Sequence, residues 1–174
     1  MDELSRLALA AAVGDHVAAR RFVRETQPKV WELCSFLGSG DDTDDLVQDT
    51  YVRALRALPN YRAEGPVLQW LLAIARRVCA DEVRRRTRAR RRVFRLATLT
   101  VRHAAPEPGS GIDLDQLVRA LDPDRRAAFV LTQLVGLTYE EAADVCDCAV
   151  GTIRSRVARA RTELVQLAQE ADAV

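Results

Sequence analysis

The chain has 174 residues, which suits one ordinary domain or two small ones. Apolar residues make up 48% and charged residues 29% of the sequence, a balance that excludes a disordered chain, and no apolar run is long enough for a transmembrane helix. The N-terminus begins acidic and has no basic region before an apolar run, so we expect no signal peptide and a cytoplasmic protein.

The net charge of +1 conceals a strong segregation of charge along the chain. Residues 76–102 carry 11 arginines and two acidic side chains, a net charge of +9. The net charge is −3 in residues 1–58 and −6 in residues 103–149. A basic segment between acidic ones indicates contact with a polyanion in the middle of the chain and with other partners at its flanks.

Apolar residues at three- and four-residue spacing predict helices in the first part of the chain. One such stripe covers residues 4–12, and another covers residues 22–37, where a break is expected at Pro28. The run Gly38-Ser39-Gly40 then interrupts the pattern. These residues therefore predict two helical segments followed by a turn.

The next two predicted helices carry most of the charged side chains. The first covers residues 44–58, with Asp42 or Thr43 as its cap and acidic residues in its first turn. The second begins at Pro66 and runs to about residue 92. Its first half is apolar on one side and its second half is rich in arginine, so we expect the second half to project into solvent.

Residues 93–112 contain the Pro/Gly/Ser-rich stretch HAAPEPGSG and are predicted to be a flexible linker. Residues 113–174 then show helical spacing again, with a helix expected to start at Pro123 and another to be capped by Thr138. The sequence thus predicts an all-α fold of two small helical domains, residues 1–92 and 113–174.

The four cysteines do not form a metal-binding pattern. Cys146 and Cys148 are separated by one residue, which differs from the spacing of most zinc sites, and both histidines lie far away in sequence. We therefore expect no metal site and interpret the cysteines as buried free thiols.

Residues 138–162 have the pattern of a helix-turn-helix motif. A short helix, a tight turn and a second helix with Ile153 and Val157 facing inward match its spacing. The outward side chains of the second helix are candidates for the major groove of DNA: Thr152, Arg154, Ser155, Arg156 and Arg159. Arg154 or Arg156 is expected to contact bases and Arg159 to contact phosphate. The alternative is a solvated basic helix.

A second nucleic-acid candidate lies around the arginine-rich helix. Clustered arginines at 84–92 are typical of nucleic-acid binding, and the aromatic side chains Tyr61 and Trp70, with Asn60, lie near them in sequence. Aromatic residues beside arginines favour single-stranded DNA, because bases stack on aromatic rings. Core packing of Trp70 is the alternative.

The predicted helix 44–58 has an acidic and polar outer face. Asp45, Gln48, Asp49 and Arg53 share that face by their spacing. Because an acidic face repels phosphate, we expect a protein partner there, although an ordinary solvated face would show the same pattern.

Three segments together resemble the extracytoplasmic-function (ECF) group of bacterial RNA polymerase sigma factors. They are DDLVQDTYVRALRAL (44–58), YRAEGPVLQWLLAIARRVCADEVRRR (61–86) and LDPDRRAAFVLTQLVGLTYEEAADVCDCAVGTIRSRVARAR (121–161). The resemblance covers about residues 15–165. It implies a promoter-specificity subunit that binds core RNA polymerase and promoter DNA and that is often held by an anti-sigma protein.

The resemblance also implies roles for the individual segments. Residues 44–58 would dock on the β′ clamp of the polymerase, with further contacts to its β subunit. Residues 150–161 would recognise the −35 element in duplex DNA. Residues 60–86 would melt and recognise the −10 element as a single strand, through Asn60, Tyr61, Arg62, Trp70, Arg76, Arg77 and Arg84.

Other function classes fit the sequence less well. A stand-alone helix-turn-helix repressor or response-regulator effector would need a dimer helix, a ligand pocket or a phosphoacceptor domain, and none is evident. An RNA-binding or nucleic-acid-modifying enzyme would need catalytic groups, and the sequence has no nucleophile motif or phosphate-binding loop. We therefore expect no enzymatic activity and no cofactor.

Overall fold

The computed structural model describes residues 1–38, 42–96 and 114–172, without the side chains of residues 90–96 and 172. Within these ranges all regular structure is helical, which confirms the predicted all-α fold. The α-helices are α1 (Glu3–Ala12), α2 (His16–Leu37), α3 (Thr43–Ala57), α4 (Val67–Leu96), α5 (Leu114–Ala120), α6 (Pro123–Phe129), α7 (Tyr139–Cys146) and α8 (Val150–Asp172).

The first module consists of α1–α4 packed around one apolar core. Phe22 and Leu33 from α2 meet Leu71 and Leu72 from α4, and all four side chains are fully buried. The buried Tyr51 hydroxyl of α3 lies 2.7 Å from the Thr26 hydroxyl of α2. Burial raises the pKa of Tyr51 to about 12. The core therefore holds α3 and α4 in fixed positions relative to α2.

The predicted break at Pro28 is wrong, because α2 is one continuous helix from His16 to Leu37. A proline inside a helix removes one backbone hydrogen bond and crowds the preceding turn. Here Phe22 lies on one side of Pro28 and Val30 and Leu33 on the other, and all three are fully buried. Burial of apolar area on both sides stabilises the continuous helix enough to offset that cost.

The two charged helices differ from the prediction mainly at their ends. Asp42 is the N-cap residue of α3, but its side chain makes no cap hydrogen bond and instead pairs with Arg86 of α4. Helix α4 begins at Val67, one residue after Pro66, and continues to Leu96. It extends past residue 92 because the next four residues include no glycine or proline. Most of the predicted linker, residues 97–112, lies outside the described residues.

The second module contains α5–α8 and a π-helical turn at residues 130–134. Pro123 is the first residue of α6 as expected, with the Asp122 carboxylate accepting hydrogen bonds from the backbone. Leu121, Leu131 and Ile153 are almost completely buried at the centre of the module. Helix α8 is thereby fixed against α5 and α6 by its inward apolar side.

Thr138 caps α7 as the sequence predicted. The Thr138 hydroxyl accepts a hydrogen bond from the Glu141 backbone N–H at 3.2 Å, and the Glu141 carboxylate accepts one from the Thr138 N–H at 2.8 Å. This reciprocal arrangement satisfies two backbone donors that the helix cannot satisfy itself. It also sets the point at which the helix-turn-helix begins.

We expect Thr138→Ala to lower the free energy of unfolding by about 1 kcal/mol, because the substitution removes the cap hydrogen bond. Urea unfolding followed by circular dichroism measures the change. Thr162→Ala is the matched control, since Thr162 is exposed within α8 and alanine has a higher helix propensity. Equal losses in the two variants would contradict a capping role for Thr138.

The two modules contact each other directly. Helix α4 of the first module packs against α7 of the second, and α2 contacts α5 and α6. Cys34, Cys79 and Cys146 are buried in these interiors and Cys148 is half-buried. Among the described helices, none combines the length and the apolar character needed to cross a membrane.

Candidate nucleic-acid interfaces

The outer side of α3 carries the acidic surface that the sequence predicted. Asp45 and Gln48 are exposed, and Arg53 binds the Asp49 carboxylate with both Nε, at 3.2 Å, and Nη2, at 2.8 Å. Val52 is 39% exposed and Leu55 is 41% exposed on the same helix. Sequence reasoning missed these two apolar residues, because it examined only the charged and polar positions of the face.

A carboxylate of α4 joins this surface. Asp81 accepts hydrogen bonds from Arg53 Nη1 at 2.9 Å and from Arg84 Nη2 at 2.7 Å. The hydrogen bonds from Arg84 and then Arg53 hold the pKa of the Asp81 carboxyl below its usual value. The Asp81–Arg84 spacing along one helix is visible in the sequence, but the bond to Arg53 joins two helices and has no local signal.

Residues before and at the start of α4 form an aromatic cavity. The Tyr61 and Trp70 rings lie 5.2 Å apart between centroids with an interplanar angle of 44°. The Tyr61 hydroxyl donates a hydrogen bond to the Gly65 carbonyl at 2.5 Å, which fixes the intervening loop. The cavity has a volume of about 560 Å³, and its lining includes Asn60, Tyr61, Arg62, Trp70 and Asp144.

The structure thus brings together four of the seven residues predicted for the −10 element. Trp70 is half-buried, so it combines core packing with a surface in the cavity. Asp144 was not expected here, since it belongs to α7 in the second module. Its carboxylate and that of Glu64, which also lines the cavity, do not favour a nucleic-acid strand.

The arginines of α4 fall into different environments. Arg77 and Arg84 lie seven and fourteen residues after Trp70, so their side chains leave the helix on nearly the same side as the cavity. Both are exposed. Glu82 binds Arg85 and Arg86 at 2.7–2.8 Å, and these hydrogen bonds lower the pKa of the Glu82 carboxyl. The net charge of the segment therefore overstates the positive charge available to DNA.

Arg76 has a separate position. Its Nε donates to the Val145 carbonyl and its Nη2 to the Cys146 carbonyl, both at 3.3 Å. These carbonyls belong to the last two residues of α7, so Arg76 is half-buried between the modules. The structure therefore does not place Arg76 with the exposed arginines of the predicted −10 set.

The second module contains a complete helix-turn-helix. Helix α7 ends at Cys146, and Asp147 follows in the left-handed conformation with φ of 53°. Asparagine and aspartate adopt this conformation more readily than most side chains, which permits a tight turn without glycine. Ile153 and Val157 are buried on the inward side of α8, as predicted.

The opposite side of α8 carries the predicted −35 residues. Arg154, Ser155 and Arg159 are exposed and Thr152 is half-buried, with the Ser155 hydroxyl bonded to the Thr152 carbonyl. Arg156 differs because its Nη2 binds the Asp124 carboxylate at 2.5 Å and its side chain is only 26% exposed. Arg156 therefore ties α8 to the start of α6.

Two family models match the chain: Sigma-70 region 2 over residues 22–89 and Sigma-70, region 4 over residues 112–164. The ECF RNA polymerase sigma factor SigC of Mycobacterium tuberculosis is 41% identical over 98% of this chain and 94% of its own length. The ECF RNA polymerase sigma factor EcfG of Rhodopseudomonas palustris is 36% identical over 76% of this chain and 75% of its own.

Solved structures of sigma factors have a similar fold. CnrH, in complex with the cytosolic domain of CnrY, matches with a TM-score of 0.76 at 29% identity, over 97% of this chain and 99% of that one. The sigma factor RpoE of Bartonella quintana, in complex with the anti-sigma factor NepR, matches with a TM-score of 0.72 at 29% identity, over 86% and 96%. The chain therefore belongs to the ECF sigma factors, the group of DNA-binding RNA polymerase subunits that direct transcription initiation.

Proposed function

We propose that separate surfaces of this sigma factor bind core polymerase, the −10 element and the −35 element. Residues 1–92 bind core polymerase through α3 and hold the melted −10 element at the Tyr61–Trp70 cavity. Residues 113–174 recognise the −35 element through α8, and residues 93–112 connect the two. The observation that carries this proposal is the aromatic cavity beside exposed arginines, because it has the chemistry that a single DNA strand requires.

The α3 surface has the composition of a protein interface rather than of a DNA contact. Asp45 and Asp49 supply negative charge, which phosphate would repel. Val52 and Leu55 supply exposed apolar area beside that charge. Apolar residues surrounded by charged ones are typical of interface centres and rims. This surface therefore fits the β′ clamp of core polymerase, with the β subunit contacting other parts of the chain.

The cavity suits one unstacked base. A base that leaves the DNA duplex loses a few kcal/mol of stacking and pairing, and stacking on protein aromatic rings offsets that loss. Tyr61 and Trp70 provide rings, Asn60 provides an amide that can bond a base edge, and Arg62 and Arg77 can bind the flanking phosphates. Melting by this route needs no cofactor and no reaction of the chain's own.

Tyr61→Ala should weaken open-complex formation by about 5- to 150-fold, because stacking of one base on an aromatic side chain contributes ~1–3 kcal/mol. Run-off transcription with reconstituted holoenzyme tests the function as a whole. Permanganate footprinting measures the melted strand, and closed-complex affinity is measured separately on the same promoter. The substitution should affect melting more than closed-complex binding.

Tyr61→Phe is the matched control for the Tyr61 experiment. It keeps the aromatic ring but removes the hydroxyl that bonds Gly65. If stacking is the role of Tyr61, the phenylalanine variant retains most of the open complex. Equal defects in Tyr61→Phe and Tyr61→Ala, or equal loss of closed and open complexes, would contradict the stacking role.

In the solved structures, CnrH is bound to the cytosolic domain of CnrY and RpoE is bound to the anti-sigma factor NepR. On the strength of this likeness we include an anti-sigma protein among the partners of the present chain. Since core polymerase and promoter DNA are cytoplasmic, the proposed function also places the chain in the cytoplasm.

A further inference from the structure

Ser5 of α1 is a buried polar residue that contacts the beginning of α4. Ser5 is 3% exposed, and its Oγ accepts a hydrogen bond from the Val67 backbone N–H at 3.4 Å. Val67 is the first residue of α4, so this N–H has no partner within the helix. Because Val67 is completely buried, a side chain of another helix has to satisfy the donor, and α1 supplies it.

Asp2 fixes the direction in which the Ser5 hydroxyl points. The Asp2 carboxylate accepts one hydrogen bond from the Ser5 backbone N–H at 2.7 Å and another from the Ser5 hydroxyl at 3.0 Å. The bond from the Ser5 backbone lowers the pKa of the Asp2 carboxyl, and an ionised carboxylate can only accept hydrogen bonds. The hydroxyl hydrogen is therefore directed at Asp2, which leaves the oxygen lone pairs of Ser5 to accept from Val67.

Helix α1 also contacts the chain just before the Tyr61–Trp70 cavity. The 3-10 turn Leu58–Asn60 follows α3 and packs against α1, with Leu58 only 1% exposed. The Tyr61 N–H donates to the Leu58 carbonyl at 2.9 Å, which ties the start of the loop 61–66 to that turn. Helix α1 therefore contacts both ends of the loop, the beginning through the 3-10 turn and the end through Ser5.

The loop 61–66 contains a residue in an unfavourable backbone conformation. Ala63 has a φ of 53°, in the left-handed region where the Cβ atom crowds the backbone. Such a conformation persists only where surrounding contacts impose it. The bond from the Tyr61 hydroxyl to the Gly65 carbonyl closes the loop internally, and α1 holds its two ends. Loss of an end contact would let the loop relax away from the arrangement that forms the cavity.

We propose that Ser5 is a positioning residue for recognition of the −10 element, because it holds the start of α4 where Trp70 and Tyr61 share one cavity. Ser5 does not line the cavity itself and acts through Val67. Trp70 lies three residues after Val67, about one helical turn, so a displaced helix start moves its ring relative to Tyr61. The effect on DNA rests on the proposed function, but the position of Trp70 can be measured without DNA.

Ser5→Ala removes the acceptor of the Val67 N–H. In reconstituted holoenzyme it should lower open-complex formation about 2- to 10-fold, the equivalent of one hydrogen bond, with unchanged affinity for core polymerase. Ser5→Thr keeps a hydroxyl and should retain most of the open complex. Combined with Tyr61→Ala, Ser5→Ala should add little further loss, because both act through one cavity. An equal loss of polymerase binding, or a fully additive effect with Tyr61→Ala, would overturn the positioning role.

Asp2→Asn tests the same contact and replaces Ser5→Ala if that variant does not fold. The asparagine oxygen can keep the bond from the Ser5 N–H, but its NH₂ group cannot accept the Ser5 hydroxyl. We expect a defect in the same direction as for Ser5→Ala. Glu3→Ala is the matched control, since it removes the ion pair from α1 to Arg21 of α2 and leaves the contact with α4 intact. Equal open-complex defects in Asp2→Asn and Glu3→Ala would contradict a specific role of the Ser5 contact.

Trp70 fluorescence separates this proposal from the proposed function. The chain has two tryptophans, so Trp31→Phe leaves Trp70 as the only one. In this background Ser5→Ala should shift the Trp70 emission to longer wavelength and increase its quenching by acrylamide in the free chain, whereas Ser5→Thr should not. Unchanged emission and quenching in both Ser5→Ala and Asp2→Asn would overturn the positioning of Trp70. A changed emission together with an intact open complex in Tyr61→Ala would instead refute the proposed function of the cavity and retain the positioning by Ser5.

Discussion

Replacing Asp45 and Asp49 together with alanine is expected to lower the affinity for core RNA polymerase about 100-fold, or ~3 kcal/mol. Both carboxylates lie on the outer side of α3, next to the exposed Val52 and Leu55. Charged groups next to an apolar interface centre are desolvated on binding, so their loss leaves partner groups unpaired. A fluorescence titration of labelled core enzyme in the absence of DNA measures the effect.

The fold should survive this double substitution. Neither carboxylate is part of the core, and Arg53 keeps its hydrogen bond to Asp81 when Asp49 is removed. The double variant Glu64→Ala, Glu170→Ala is the matched control, since it removes two exposed carboxylates outside α3. If both double variants bind core polymerase as the wild type does, α3 is not the docking surface.

The second large effect is expected in α8, the proposed recognition helix, and it should differ between the arginines of that helix. Arg154→Ala should cost ~1–3 kcal/mol and relax the preference at one position of the −35 element. Arg159→Ala should weaken binding to all sequences and reduce the salt dependence of binding by about one unit of slope. Holoenzyme binding to a −35 library at several salt concentrations distinguishes the two outcomes.

Arg156 gives an internal comparison in the same experiment. Its bond to Asp124 positions α8 against α6, so we expect Arg154 rather than Arg156 to contact a base. Arg156→Ala and Asp124→Ala should therefore have similar effects on binding, without a change of sequence preference. A change of preference in Arg156→Ala alone would identify Arg156 as the residue that contacts bases. Unchanged preference in every arginine variant would exclude α8 as the recognition helix.

The sequence predicted the elements that depend on local signals. Thr138 and Glu141 form the expected capping box because both partners lie within four residues, and Pro123 starts α6 because a proline suits that position. Tyr61 and Trp70 were expected at one surface beside the arginine-rich helix, and they lie together because the loop and the helix start that carry them are adjacent in sequence. Local spacing was sufficient in each case.

Features that depend on contacts between distant residues were not predictable in this way. Pro28 indicated a break, but the burial of Phe22 and Leu33 on its two sides is a property of the assembled core. Arg76 was assigned to the −10 set through the family resemblance of residues 60–86. Arg76 donates hydrogen bonds to the backbone carbonyls of Val145 and Cys146, which are about 70 residues away. Because every residue has a backbone carbonyl, the side-chain pattern gives no signal for this contact.

Helix α4 has 30 residues, so at 1.5 Å per residue it forms a rod about 45 Å long. Its first turn lies at the Tyr61–Trp70 cavity and its last turn leads to the connection with the second module. Residues that are already helical lose no further conformational entropy when a second promoter element is bound. Because only the shorter remaining segment has to be ordered, the effective concentration of α8 near the −35 element is higher than a fully flexible tether of the same total length would give.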